Sequence, residues 1–213
     1  MLARVRLSVL DRPGMLGRVA SAIGAAGADI ARVDVLDSEA GRATDDVFVR
    51  VRDVVHLSRV RNELDSVPGV AVSGTQTPAP PPSGHAELEL LGHVLAQPSR
   101  ALETLVDGVP AALGADWAAI LRYGNDGDPK EVVGVSHRCP GADHVVLRSA
   151  LRLTSLPMTP PGRATPYGGT ALVPLGRHRL GLVVVREEGP DFHRSELWRL
   201  GQIGDIAGNA LPD

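Results

Sequence analysis

Four of the five residues 78–82 are proline, within "TQTPAPPPSGH", Thr75 to His85. Proline fixes φ, has no amide hydrogen and disfavours helix in the residue before it, so this run favours extended polyproline geometry over helix or central strand. A chain of 213 residues is long enough for one large domain or two small ones. The proline run decides for two. It reads as a semi-rigid linker over 76–85, with one domain on 1–75 and another on 86–213.

The first domain has a legible period. Arg4 to Leu10 alternates, with Val5, Leu7 and Val9 on one face of a strand. Leu16, Val19, Ala20 and Ile23 fall at helical spacing, with Pro13 and Gly14 near the start and Gly27 as a positive-φ cap past the end. Ala31, Val33 and Val35 alternate against Arg32 and Asp34 in a second strand, "DSEAGRA" is a turn, and Val47, Val49 and Val51 form a third strand. Leu57, Val60, Leu64 and Val67 suit a second helix that Pro68-Gly69 stops, and Val70 to Val72 begins a fourth strand. The order βαββαβ is a ferredoxin-like sheet with helices on one face, an α+β class.

In the second domain "SRALETLVDGVPAALG" is a helix with Leu102, Leu105, Val106 and Val109 as its stripe, kinked or ended at Pro110. "ADWAAILRY" and "EVVGVS" follow as strands, "HVVLRSALRL" as a short helix, and "TALVPLGRHRLGLVVVREE" as a hairpin around Gly176-Arg177-His178. "SELWRLGQIGDIAGNAL" closes the chain as a helix buried through Leu197, Leu200, Ile203, Ala207 and Leu211, with Ser195 as its cap. Trp198 falls off that stripe, facing either a partner or the domain's own edge.

Composition narrows the function. Apolar residues make up 43% of the chain and net charge is −3. Residues 1–75 hold ten basic and ten acidic side chains, and the rest hold twelve and fifteen. Nothing here favours nucleic acid or an anionic membrane. One cysteine, Cys139, excludes an internal disulfide and suits a reducing cytosol. The opening apolar run is too short for a signal peptide, so a cytoplasmic protein is expected.

With βαββαβ and "DRPGMLGRVASAIGAAGADI" in hand, the first 75 residues resemble the ACT domain family. The motif runs Asp11-Arg12-Pro13-Gly14-Met15-Leu16, then Ile23, then Gly27-Ala28-Asp29-Ile30. The resemblance implies a regulatory module that associates with further copies, as a homodimer or higher homo-oligomer. It also implies an amino acid bound where one subunit's first loop meets a neighbour's second strand. Asp11 stands where several amino-acid-binding relatives carry Asn. Residues 86–213 resemble a GAF domain, an α/β sensor with a central antiparallel sheet, through the Trp117–Tyr123 strand, "ALVPLGRHRLGLVVV" and the closing helix.

The first loop has a physical reading of its own. A helix N-terminus carries unpaired N–H groups and partial positive charge. Gly14 has no side chain to block their approach, so a small carboxylate could sit on the amides of Met15, Leu16 and their neighbours, with Pro13 shaping the turn. Asp11 could face an ammonium group, and Asp29 and Ile30 could line the far side from another subunit. The competing reading is structural: Asp11 caps the helix, Gly14 is a steric convenience and Ile30 is core.

Catalytic patterns are missing: there is no HExxH, P-loop, GxSxG or metal-spaced cysteine pair. Cys139, with His137 and His144 nearby in "SHRCPGADH", matches no zinc spacing. The sequence therefore reads as a non-enzymatic, cofactor-free sensor that couples an amino acid to a GAF-like domain and an unidentified protein partner. The alternatives are a ligand-free dimerisation scaffold and a small enzyme using Cys139.

Overall fold

A computed structural model describes residues 1–77, 85–141, 145, 163–164, 169–176 and 179–211. The chain divides into two units, Met1–Pro82 with Glu188–Pro190, and Ser83–Glu187 with Asp191–Asp213. The expected linker falls largely outside the described residues, as do "HVVLRSALRL" apart from Val145, and His144 and His178.

The first unit has β1 (Leu2–Leu10), α1 (Met15–Ala25), β2 (Asp29–Glu39), β3 (Arg42–Arg50), α2 (Val54–Asp65) and β4 (Val70–Gln76). This is the βαββαβ order read from the sequence. The antiparallel sheet runs β2-β3-β1-β4. Alternation along β1 buries Ala3, Val5, Leu7 and Val9 against Val19, Ile23, Val60 and Leu64. Burying each large aliphatic side chain contributes about 1.5–3 kcal/mol.

The structure sharpens the local reading at three places. The buried stripe of α1 is Met15, Val19, Ala22 and Ile23, while Leu16 and Ala20 are exposed. The sheet lies under the face that begins at Met15. The expected turn in "DSEAGRA" is confined to two residues, Ala40-Gly41, with φ of 52° and 77°, and β2 and β3 run up to it from either side. Two positive φ values define a type I′ hairpin, whose twist matches its strands. Val33 and Val35 share cross-strand rows with Val47 and Asp45, yet both are exposed, because β2 is an edge strand. Gly27, at φ 82°, ends α1 as expected, with Ala28 N–H bonded to the Ile23 carbonyl and Gly27 N–H to that of Gly24.

The second unit has α3 (Ala86–Ala96), α4 (Ala101–Leu113), β5 (Trp117–Tyr123), β6 (Pro129–Val135), β7 (Arg163–Ala164), β8 (Thr170–Leu175), β9 (Leu180–Val185) and α5 (Arg194–Ala210). Its antiparallel sheet runs β6-β5-β9-β8-β7. One face carries Ile120, Val173, Leu182 and Val184 into a core with Leu90, Leu105, Leu200 and Ile203 of the helices. The other carries Trp117, Leu121, Tyr123, Leu172 and Val183 into a second cluster. This is the central antiparallel sheet expected of a GAF-like unit.

Here too the structure departs from the sequence reading. Helix α3 was not anticipated, because Leu88, Leu90, Leu91, Val94 and Leu95 spread apolar character around it and blur its period. Pro110 does not end α4, which continues to Leu113. Its buried stripe of Ala101, Leu105, Val106 and Val109 outweighs the backbone hydrogen bond that proline cannot make. The cap of α5 is His193 rather than Ser195, with the Glu196 carboxylate accepting the His193 N–H at 2.9 Å in a capping box.

Candidate functional site

The end of β1 is held from both sides. Leu10 N–H donates to the Gly69 carbonyl at 3.0 Å, and Asp11 N–H donates to that of Gly41 at 2.9 Å. The chain then reverses. Met15 N–H bonds to the Arg12 carbonyl at 3.2 Å, with Pro13 and Gly14 between them and Gly14 at φ 87°, ψ −6°. This is a type II turn, which takes proline at its second position and glycine at its third. The opening "DRPG" therefore encodes a turn of defined hand that delivers the chain into α1.

The turn leaves part of the helix terminus open. Gly14 is the N-cap, and no side-chain cap covers the amides of the first turn. Met15 spends its amide on the turn and its side chain on the core. Arg18 N–H is taken by the Gly14 carbonyl. The amides of Leu16 and Gly17 donate to no other described group. A Cβ built on Gly14 or Gly17 would meet nothing within 4 Å, so the ground beside these amides is open. It carries the partial positive charge of a helix start.

Asp11 does not cap the helix. Its carboxylate accepts a hydrogen bond from Ser38 Oγ at 2.5 Å, which ties the loop to the end of β2. Asp29 and Ile30 are not brought to this loop within one protomer. They begin β2, whereas Ser38 nearly ends it, and nine residues of strand span about 30 Å. Asp29 pairs with Arg50 at 2.7 Å, and Ile30 packs on the core.

The sequence reading missed Asp45. In β3, Ala43, Asp45, Val47 and Val49 share the helix-facing side, and Asp45 stands opposite Leu7 on β1 and Val35 on β2. It is 1% exposed, and its Oδ1 has no hydrogen-bond partner. Burial raises its pKa, with further contributions from the charges of Asp46 and Asp11. Asp46, one residue on, faces the other side and is bound by Arg4 and Arg6. The period-two pattern of "RATDDVFVR" carried the signal, since it places a carboxylate at core parity.

Other candidates are less assembled. Cys139 is a free, partly buried thiol against the Trp117–Tyr123 cluster, and His137 is exposed. Among the described residues no group of three His, Cys, Asp or Glu side chains is arranged to hold a metal ion, and no helix is long and apolar enough to cross a membrane. Trp198 is 54% exposed on α5. The second unit has a cleft of about 390 Å³ lined by Arg100, Glu103, Val106, Val133 and Leu211, with Arg100 and Glu103 paired to each other at 2.9 Å.

The first unit has a ferredoxin-like βαββαβ fold with open amides at the start of α1. Residues 2–72 match the family model of the ACT domain. Among solved structures, the chain is similar to the ACT domain from GTP pyrophosphokinase of Chlorobium tepidum, with 21% identity over 36% of this chain and 95% of that one, at a TM-score of 0.30. It is also similar to the GAF domain from Acinetobacter phosphoenolpyruvate-protein phosphotransferase, with 13% identity over 60% of this chain and 93% of that one, at a TM-score of 0.39. A third similarity, to a formyltetrahydrofolate deformylase from Pseudomonas putida, has 14% identity over 48% of this chain and 39% of that one, at a TM-score of 0.29. No curated protein matches the chain.

Proposed function

We propose that this protein is a non-catalytic sensor whose ACT unit binds an amino acid at the start of α1. The observation that carries the reading is the pair of open amides, Leu16 and Gly17, beside Gly14, in the turn that Asp11 leads into. A ligand carboxylate accepts from the amides while its ammonium donates to Asp11. A zwitterion needs this pairing of a positive and a negative subsite. A charge-assisted hydrogen bond contributes about 1.5–3 kcal/mol.

The site is completed in a homodimer, where Asp29 and Ile30 of a second copy face the loop. The exposed apolar edge of β2, Val33 and Val35, supports such self-association. Binding then favours one subunit arrangement, and reciprocal coupling changes what the second unit contacts. A screen of the twenty amino acids by thermal shift tests the reading. At least one raises Tm in the wild type, and Asp11→Ala loses that response while remaining folded. No shift with any of them leaves the dimerisation scaffold as the function.

A further inference from the structure

We propose that the cleft of the second unit binds a small organic monocation, an amine with an apolar body, whose charge meets Asp107. The cleft holds about 390 Å³, a volume within the range of small-molecule sites. It opens between one face of α4 and the edge strand β6, on the side of the sheet that the helices cover. The cluster of Trp117, Leu121 and Tyr123 lies on the opposite side. The floor of the cleft is apolar: Val106 is buried, and Leu102, Val133 and Leu211 pack around the same core. Gly134 of β6 leaves that floor uncovered, since even a Cβ there would come to 3.8 Å from Val106.

The charges on the wall indicate the sign of the ligand. Arg100 and Glu103 satisfy each other through two hydrogen bonds, of 2.9 and 3.0 Å, and together leave no net charge. Asp107 follows Glu103 by four residues, so it stands on the same face of α4 about one turn further on. Among the described residues no hydrogen bond or ion pair engages its carboxylate. Two acidic groups at this spacing repel each other, and the single arginine neutralises only one of them. The cleft thus carries one uncompensated negative charge beside an apolar floor. A neutral ligand leaves that charge unmet and an anion is repelled by it, whereas an amine with an apolar body suits both the carboxylate and the floor.

Amide chemical shifts of the full chain, followed during titration with 2-phenylethylamine and with 2-phenylethanol, test the inference. The two probes share a body and differ in the charge. The amine should move the amides of α4 and β6 and bind more tightly than the alcohol by about fivefold or more, as a partly exposed charge-assisted hydrogen bond requires. Asp107 is exposed, and Asp107→Asn should bring the two affinities together. The inference is overturned if the amine leaves the α4 and β6 amides unmoved, if the alcohol binds as tightly, or if the preference for the amine survives Asp107→Asn. Neither probe carries a carboxylate, so the outcome does not depend on the amino-acid site at α1.

Discussion

Asp45 stands directly opposite Leu7 in the pairing of β1 with β3, a carboxylate facing a leucine in a row that otherwise builds the core of the ACT unit. The next residue, Asp46, faces the other side of the sheet and is held by two arginines. Adjacent residues of one strand thus have opposite electrostatic fates, because successive side chains of a strand point to opposite faces.

Stability should depend on pH through Asp45. Its folded pKa is raised, first by burial and then by Asp46 and Asp11, above the ordinary 3.8. A raised carboxylate pKa means that the folded state holds the proton more tightly, so the penalty is absent below the unfolded value and complete above the folded one. Asp45→Asn should therefore stabilise the first unit at pH 7, and the gain should shrink as pH falls toward 3.8. Amide hydrogen exchange along β1, followed from pH 7 downward, measures it.

The β2–β3 turn holds Ala40 at φ 52°, a left-handed conformation that costs an L-residue about 1–2 kcal/mol. Asparagine tolerates it better and with Gly41 forms the preferred type I′ pair. Ala40→Asn should stabilise the first unit by about 1 kcal/mol. Exchange protection of β3 is the readout, because both tryptophans, Trp117 and Trp198, lie in the other unit.

Helix α5 approaches the end of β8 through Gly204 and Gly208. A Cβ at Gly208 would lie 2.4 Å from the Gly176 nitrogen, and one at Gly204 would lie 2.9 Å from the Pro174 carbonyl oxygen. Backbone cannot yield as a side-chain tip does, so Gly208→Ala should cost about 1–3 kcal/mol. Gly92, in the middle of α3, has nothing within 4 Å, and Gly92→Ala should add about 1 kcal/mol. Urea unfolding followed by tryptophan fluorescence distinguishes the two signs.

Arg186 is wholly buried and bonds to Glu196 at 2.9 Å, to the carbonyls of Leu113 and Gly114, and stacks 4.2 Å from the Phe192 ring centroid. Removing Glu196 takes a carboxylate away from the buried Arg186 guanidinium and also opens the α5 capping box. Glu196→Ala should cost about 3–5 kcal/mol in the same urea assay.

By itself the sequence determined the local periods and the punctuation: the βαββαβ order, the β8–β9 hairpin, the stop at Gly27 and the type of turn that "DRPG" takes. Those follow from φ restrictions and side-chain alternation, which act over a few residues. Tertiary structure alone decided which face of α1 is buried, that β2 lies at an edge with Val33 and Val35 exposed, and that α4 runs through Pro110. It also decided that Asp11 reaches Ser38, 27 residues along, instead of its own helix. The same holds for Asp45: its place in the strand was legible, but the lack of a partner for its Oδ1 among the described residues depends on which residues the sheet and α1 bring around it. Hydrogen bonds and charges act through space, and the neighbours that satisfy or abandon a side chain exist only once distant segments have packed.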